Sequence, residues 1–270
     1  MDYTSAEQRG QDVALTGIQN FDTAQVVDNG QCFRWQGNSG IAHGRRLTLD
    51  TEDGALILRN VTLDEYERIW RDYFDLGRDY GKLRKTYTAD GALAKATEFS
   101  PGLRLMKQEP WETLISFILS QNSNIPRIKG MVERLCENFG KPLSSGYAFP
   151  TAEALADADL TPIRSGYRAD YIKDAAKRAA DGRLNLAALE KAPTEEVRKA
   201  LTEIHGVGPK VADCVLLYGF GRTDRFPLDV WMKRVMIKYY PNGFPQDFAA
   251  TAGIAQQFLF HYIRNNKEEE

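Results

Sequence analysis

Ile204-His205-Gly206-Val207-Gly208-Pro209-Lys210-Val211-Ala212-Asp213-Cys214 is the stretch on which the fold turns. Apolar residues recur at helical spacing on both sides of it, over 195–204 and 210–218, so two amphipathic helices meet through a turn that holds two glycines. Glycine suits such a corner because it adopts positive φ and has no Cβ to clash. Pro209 suits the first turn of the second helix, where its missing N–H would have gone unpaired anyway. The exposed N–H groups of Gly206, Val207 and Gly208, with the start of the next helix, offer a site for one phosphate. An ordinary tight helix corner is the plain alternative.

Lys210 adds chemistry to the corner. In the first turn of a helix its ammonium faces the positive end of the dipole, which disfavours the charge and marks a candidate amine nucleophile. Cys214, four residues on, shares its helix face. Asp229, nineteen residues after the lysine, stands in Phe226-Pro227-Leu228-Asp229-Val230-Trp231. An aspartate there caps a helix, and the same anchored carboxylate can stabilise positive charge developing on a sugar.

Working outward, a second helix pair spans 111–120 and 125–139, with Asn124 at an N-cap position and Gly140 at a helix end. Thr194 and Gly219 are the corresponding N-cap and end for the pair around the corner. Before residue 61 the pattern is strand-like. Gln31-Cys32-Phe33-Arg34-Trp35 and Ala55-Leu56-Ile57-Leu58 are short runs separated by Asn-Gly, Gly-Asn and Asp-Gly turns. Tyr66, Ile69, Trp70 and Tyr73 then fall on one helical stripe. The expected class is α+β: a β-rich unit with flanking helices over residues 1–108, and a helical unit over 109–270.

The chain of 270 residues, 43% hydrophobic, can fill a substantial core. No run approaches the ~18 apolar residues of a membrane span, and the first ten residues lack a basic flank and an apolar stretch. An intracellular protein is expected. Cys32, Cys136 and Cys214 are far apart and form no C-x-x-C pair, which gives no support to a disulfide framework, a metal site or a cluster. The net charge of −2 is unlike that of a strongly basic nucleic-acid binder. The acidic residues, however, concentrate between 63 and 79 and in the tail Glu268-Glu269-Glu270, whereas 127–134 and 233–238 are locally basic.

Taken together, Gly206 to Cys214 and Pro227-Leu228-Asp229-Val230 resemble the helix-hairpin-helix signature of the 8-oxoguanine DNA glycosylases. So do Gly30 to Trp35, Ser116 to Ile125 with Arg127, and Gly166-Tyr167-Arg168-Ala169, in the same order along the chain. The resemblance implies a bifunctional glycosylase and AP lyase with Lys210 and Asp229 as its catalytic pair. It implies a base site of Gly30, Cys214, Pro227, Gln256 and Phe260, with the Gly30 carbonyl accepting the N7–H that oxidised guanine has and guanine lacks. Asn122, Arg127, Tyr167 and Arg168 would fill the gap left by the extruded base and hold the opposite cytosine. The implied partner is double-stranded DNA containing 8-oxoguanine, bound by a monomer without membrane, metal or cofactor. Two positions depart from the animal-type pattern: Trp231 replaces a histidine two residues after the aspartate, and Ser123 stands inside the asparagine run. A monofunctional glycosylase for alkylated bases and a non-catalytic DNA-binding module are the alternatives. The first would use water in place of Lys210, and the second leaves Lys210, Asp229 and the Gly30 segment without a joint purpose.

Overall fold

The computed structural model describes residues 1–266; the acidic tail at 268–270 lies outside the described residues. Six strands come first: β1 (Ser5–Arg9), β2 (Asp12–Thr16), β3 (Trp35–Gln36), β4 (Ser39–Ala42), β5 (Arg45–Glu52) and β6 (Ala55–Leu58). They form one antiparallel sheet in the order β1-β2-β6-β5-β4-β3. The register pairs Val13 with Leu58 and Leu15 with Leu56, so the two-residue period sends these side chains to one face. That face is covered by Tyr66, Trp70, Tyr73 and Phe74. The stripe expected there is formed, although its middle turn, Tyr66–Trp70, is a π-helix between α2 (Leu63–Glu65) and α3 (Arg71–Tyr73). Asp53 and Gly54, with φ of 50° and 76°, make the tight β5–β6 turn that the Asp-Gly pair announces.

The expected strand over 31–35 forms only at its last residue. Its first residue, Gln31, bonds to distant main chain and to a distant side chain, not to a neighbouring strand. Gln31 Nε2 donates to the carbonyls of Val26 and Arg104, its Oε1 accepts from Met106 N, and its carbonyl accepts from Gln108 Nε2 at 2.6 Å. Buried polar groups satisfied in this way do not need a ladder partner.

Helices make up the remainder: α1 (Thr23–Val27) lies within the sheet region, and α4 (Tyr80–Tyr87) and α5 (Gly91–Phe99) lead into α6 (Pro110–Leu119) and α7 (Ile125–Phe139). Then come α8 (Ala152–Ala156), α9 (Arg168–Ala180), α10 (Leu186–Leu189), α11 (Thr194–Thr202), α12 (Pro209–Cys214), α13 (Val230–Tyr239) and α14 (Ala252–Asn265). Asn124 caps α7 by accepting from Arg127 N at 3.0 Å. Gly140 ends α7 with φ of −82°; glycine is required there by space, since a Cβ would lie 2.0 Å from the Ala148 carbonyl.

Two helix boundaries differ from expectation. Thr194 is the first helical residue of α11 and Pro193 occupies the cap position, its φ of −55° presetting the helix entry. Gly219 lies inside a π-turn, Val215–Gly219, that extends α12 to Phe220. What selects glycine there is packing, because a Cβ would meet Pro110 Cα at 3.0 Å.

Buried polar contacts organise the first part and tie it to the second, where Arg34 pairs with Glu112 at 3.4 Å and Gln257 Nε2 donates to the Asn29 carbonyl at 3.2 Å. Arg104, fully buried, pairs with Asp2 at 2.8 Å, donates to the carbonyls of Phe74, Asn20, Asp75 and Arg78, and lies 4.0 Å from the Tyr80 ring centroid. This carries the Gly30 segment, anchored on Arg104 through Gln31, up against α14 and α6.

Candidate active site

A cavity of about 350 Å³ opens where the Gly30 segment, α6, α7, α12, α13 and α14 converge. Its walls include Lys210, Asp229, Gly30, Cys214, Pro227, Gln256 and Phe260. All seven residues expected for catalysis and base binding thus face one space large enough for a purine.

Each is placed by local structure. Gly206, with φ of +79°, makes the corner that aims α12 at the cavity; a Cβ there would meet the Tyr171 ring at 2.2 Å. His205 N donates to Asp174 Oδ2 at 2.8 Å, which fixes the corner to α9. Lys210 Nζ lies 5.3 Å from the Phe117 ring centroid, and Cys214 stands one turn further along the same helix. Burial pushes that thiol up to about 11, with Lys210 pulling down and Asp229 pushing up, so at neutral pH it is a neutral apolar wall and no rival nucleophile. Asp229 caps α13: its Oδ1 accepts from Met232 N at 2.8 Å, which leaves Oδ2 for the cavity.

Gly30 adopts φ of +82°, and a Cβ there would stand 2.9 Å from Ile125 Cδ1 and 3.4 Å from Phe260. Only a bare backbone lets Phe260 approach this closely. Gln256 is buried on α14. Tyr218, Phe33, Phe117 and Trp231 also line the cavity and were not expected from the sequence. Their apolar spacing is that of core residues, which is how most of them also serve: Phe117 stacks on Tyr218 at 5.3 Å and meets Phe33 edge-on at 5.6 Å. Trp231, in place of the histidine of the animal-type pattern, carries Arg234 at 5.1 Å over its ring.

The remaining expected residues lie outside the cavity walls, in a neighbouring cluster. Asn122, in the left-handed region at φ of 46°, donates from Nδ2 to Tyr167 Oη at 3.1 Å, and Tyr167 is 48% exposed. Tyr167, Tyr171 and His205 form a chain of edge-on rings at 5.6 and 4.8 Å, which ties this cluster to the hairpin. Arg127 is exposed, and its guanidinium meets no protein partner among the described residues. Arg168 is the opposite: 3% exposed, it donates from Nε to the Gln121 carbonyl at 2.8 Å, from Nη1 to Ser165 O at 3.0 Å, and from Nη2 to the carbonyls of Gln121 and Asn122. Most of its donors are therefore committed to the turn that carries Asn122. Of the basic stretch 127–134, Lys129 pairs with Asp28 and Arg134 donates to Ile163 O, so the local charge is partly structural.

No helix among the described residues is long and apolar enough to cross a membrane. Likewise, no group of His, Cys, Asp and Glu among them could hold a metal ion.

Such an arrangement, a hairpin corner presenting an amine into the same cavity as a capping carboxylate, defines a class, and residues 115–247 match the model described as "HhH-GPD superfamily base excision DNA repair protein". Residues 14–114 match "8-oxoguanine DNA glycosylase, N-terminal domain". The chain belongs to the 8-oxoguanine DNA glycosylase family. A solved structure of MBOgg1 in complex with a low affinity DNA ligand is 40% identical, with a TM-score of 0.92 over 98% of this chain and 99% of that one. The Clostridium acetobutylicum 8-oxoguanine glycosylase/lyase, bound to double-stranded DNA with cytosine opposite 8-oxoguanine, is 34% identical with a TM-score of 0.93, covering 98% of this chain and 99% of that one. The N-glycosylase/DNA lyase of Saccharomyces cerevisiae is 39% identical over 172 residues, 56% of this chain; the aligned part spans 45% of the yeast protein's own length.

Proposed function

We propose that the chain is an intracellular, monomeric bifunctional DNA glycosylase and AP lyase that excises 8-oxoguanine opposite cytosine in base excision repair, with residues 109–270 carrying the catalytic pair and 1–108 the Gly30 wall. The observation that carries this reading is the convergence of Lys210, Asp229 and Gly30 on one purine-sized cavity.

The damaged nucleotide leaves the duplex at a cost of a few kcal/mol, recovered in part by groups that occupy the gap. Asn122 and Tyr167 fill it. Arg127 and Arg168 hold the orphaned cytosine, Arg168 chiefly by fixing the Asn122 turn, and the N–H groups of Gly206, Val207 and Gly208 receive a backbone phosphate. In the cavity the base lies between Cys214 and Phe260, against Pro227, with Gln256 at its Watson–Crick edge. The Gly30 carbonyl accepts N7–H from 8-oxoguanine; guanine would present a lone pair to a lone pair.

The glycosidic bond breaks with its electron pair leaving on the base, and the sugar carbon left behind is positive. Asp229 stabilises that charge and the Lys210 amine forms the new C–N bond. Loss of the amine's proton and opening of the sugar give a Schiff base, and β-elimination then breaks the C3′–O bond and expels the 3′ phosphate. No metal or cofactor enters.

Borohydride reduces a Schiff base to a stable amine. Incubation with an 8-oxoguanine·cytosine duplex and borohydride is expected to yield a covalent protein–DNA adduct that Lys210→Gln does not form. Release of free base with no adduct would mean that water is the nucleophile, and the lyase reading would fall.

A further inference from the structure

The carboxamide of Gln256 can face a base in either of two ways, and which way decides the base it reads. Guanine bases present N1–H and N2–H donors beside the O6 acceptor, whereas adenine bases present the N1 acceptor beside N6–H donors. An oxygen turned to the N1 position welcomes the former and repels the latter.

Tyr218 Oη lies 2.6 Å from Gln257 Oε1 and 3.4 Å from Gln256 Oε1. A phenol has one proton. At these distances it belongs to Gln257, since 3.4 Å is beyond the normal O–H···O range. Gln257 is itself held, because its Nε2 donates to the Asn29 carbonyl at 3.2 Å, so its Oε1 is the end left for Tyr218. Burial drives the Tyr218 hydroxyl well above its ordinary value, so the proton stays in place at any working pH. Gln256 then meets the lone pairs of the hydroxyl and not its hydrogen. The structure has Oε1 on the Tyr218 side, where at 3.4 Å it gains no proton; rotating the amide by 180° places NH₂ against the hydroxyl lone pairs and turns Oε1 to the cavity, and this is the orientation that makes the hydrogen bond.

We infer that Gln257 and Tyr218 are specificity-positioning residues: by taking the Tyr218 proton, Gln257 fixes the polarity of the Gln256 amide so that the cavity accepts a guanine edge. The inference rests on Gln256 reading the Watson–Crick edge. The π-turn at Val215–Gly219 gives Tyr218 its place, stacked on Phe117 and aimed at α14. The same Gln257 side chain tethers Asn29, next to Gly30, so one residue ties the two recognition elements together.

The test compares single-turnover excision of 8-oxoguanine and of 8-oxoadenine, each opposite cytosine, by the full chain. Both bases carry N7–H, so the ratio isolates the Watson–Crick edge from the Gly30 contact. Gln257→Leu releases the Tyr218 proton to Gln256, and the 8-oxoguanine/8-oxoadenine ratio is expected to fall about tenfold, the effect of one mismatched hydrogen bond. Adding Tyr218→Phe removes the misdirected proton, so the double variant should recover part of that loss. Tyr218→Phe alone, a change of one oxygen, keeps the question open to test should Gln257→Leu fold poorly; its ratio should fall by less than that of Gln257→Leu, and an unchanged ratio overturns the inference. Equal slowing of both substrates by Gln257→Leu would also overturn it and leave a purely structural tether. Gln256→Leu separates the two levels: if that variant keeps the wild-type ratio, Gln256 is not a reader and the underlying assignment falls instead.

Discussion

Asp229 Oδ1 accepts a hydrogen bond from Met232 N at 2.8 Å, so the carboxylate that faces Lys210 across the cavity is also the cap of α13. Capping and charge can be separated by substitution. Asparagine caps a helix about as well as aspartate, whereas alanine costs about 1 kcal/mol. Asp229→Asn is therefore expected to keep the wild-type melting temperature while single-turnover base release falls about 100-fold or more. Asp229→Ala should lose both. Thermal melts beside single-turnover assays check this, and an Asn variant with wild-type rates would reduce Asp229 to its capping role.

The two arginines of the opposite-base cluster should behave differently. Arg127 is exposed with no protein partner among the described residues, while Arg168 is buried and spends its donors on Gln121, Asn122 and Ser165. Arg127→Ala is expected to reduce the preference for cytosine over adenine opposite the lesion by about 10-fold or more, with no change in stability. Arg168→Ala should relax the same preference and also lower stability by about 2–3 kcal/mol, because buried carbonyls lose their donors. Urea unfolding and opposite-base competition distinguish them; equal stabilities would show that Arg168 does not clamp the turn.

Those two residues also mark how far the sequence could be read. The hairpin, the capping Asp229, the helix limits of α7 and the Asp53-Gly54 turn are local features, set by spacing and backbone sterics, and are visible without coordinates. Convergence is not local. Gly30 and Phe260 stand 230 positions apart in the chain, and nothing in their separate patterns places them together; only the resemblance did. At 31–35 the strand gives way where Gln31 bonds, through its side chain and carbonyl, to Val26, Arg104, Met106 and Gln108, and neither these partners nor the commitment of Arg168 to main-chain carbonyls has a sequence signature. Tyr218 reaches the cavity wall from within the π-turn at Val215–Gly219, whose changed helical phase the spacing of apolar residues does not announce.

Glu112, buried in α6 beside Arg34 at 3.4 Å, links the helical part to the Gly30–Trp35 segment. Burial raises its carboxyl from 4.5 to about 7, against the pull of Arg34 and with a push from Glu109. Between those values the folded protein holds a proton that the unfolded chain has lost, so this group's contribution to stability falls as pH rises through that window. Glu112→Gln keeps an acceptor for Arg34 without the charge. Its stability relative to wild type is expected to increase as pH climbs toward 7 and to level off above it, measured by urea unfolding across the range. A relative stability that declines with pH would mean that the Arg34 pairing outweighs burial.

Gly30 allows base recognition to be removed without touching the amine. At φ of +82° any side chain is strained, and the first atom of one would press on Ile125 at 2.9 Å and Phe260 at 3.4 Å, in the space assigned to the base. Lys210 and Asp229 lie on other elements, α12 and the start of α13, and keep their positions. Gly30→Ala should therefore lose most excision of 8-oxoguanine yet still cleave a duplex in which the abasic site is already present, since that substrate brings no base to the cavity. Borohydride trapping on the two duplexes reads both steps. Loss of trapping on the abasic duplex would show that Gly30 supports the catalytic pair itself, and equal activity on both would remove it from the recognition of the base.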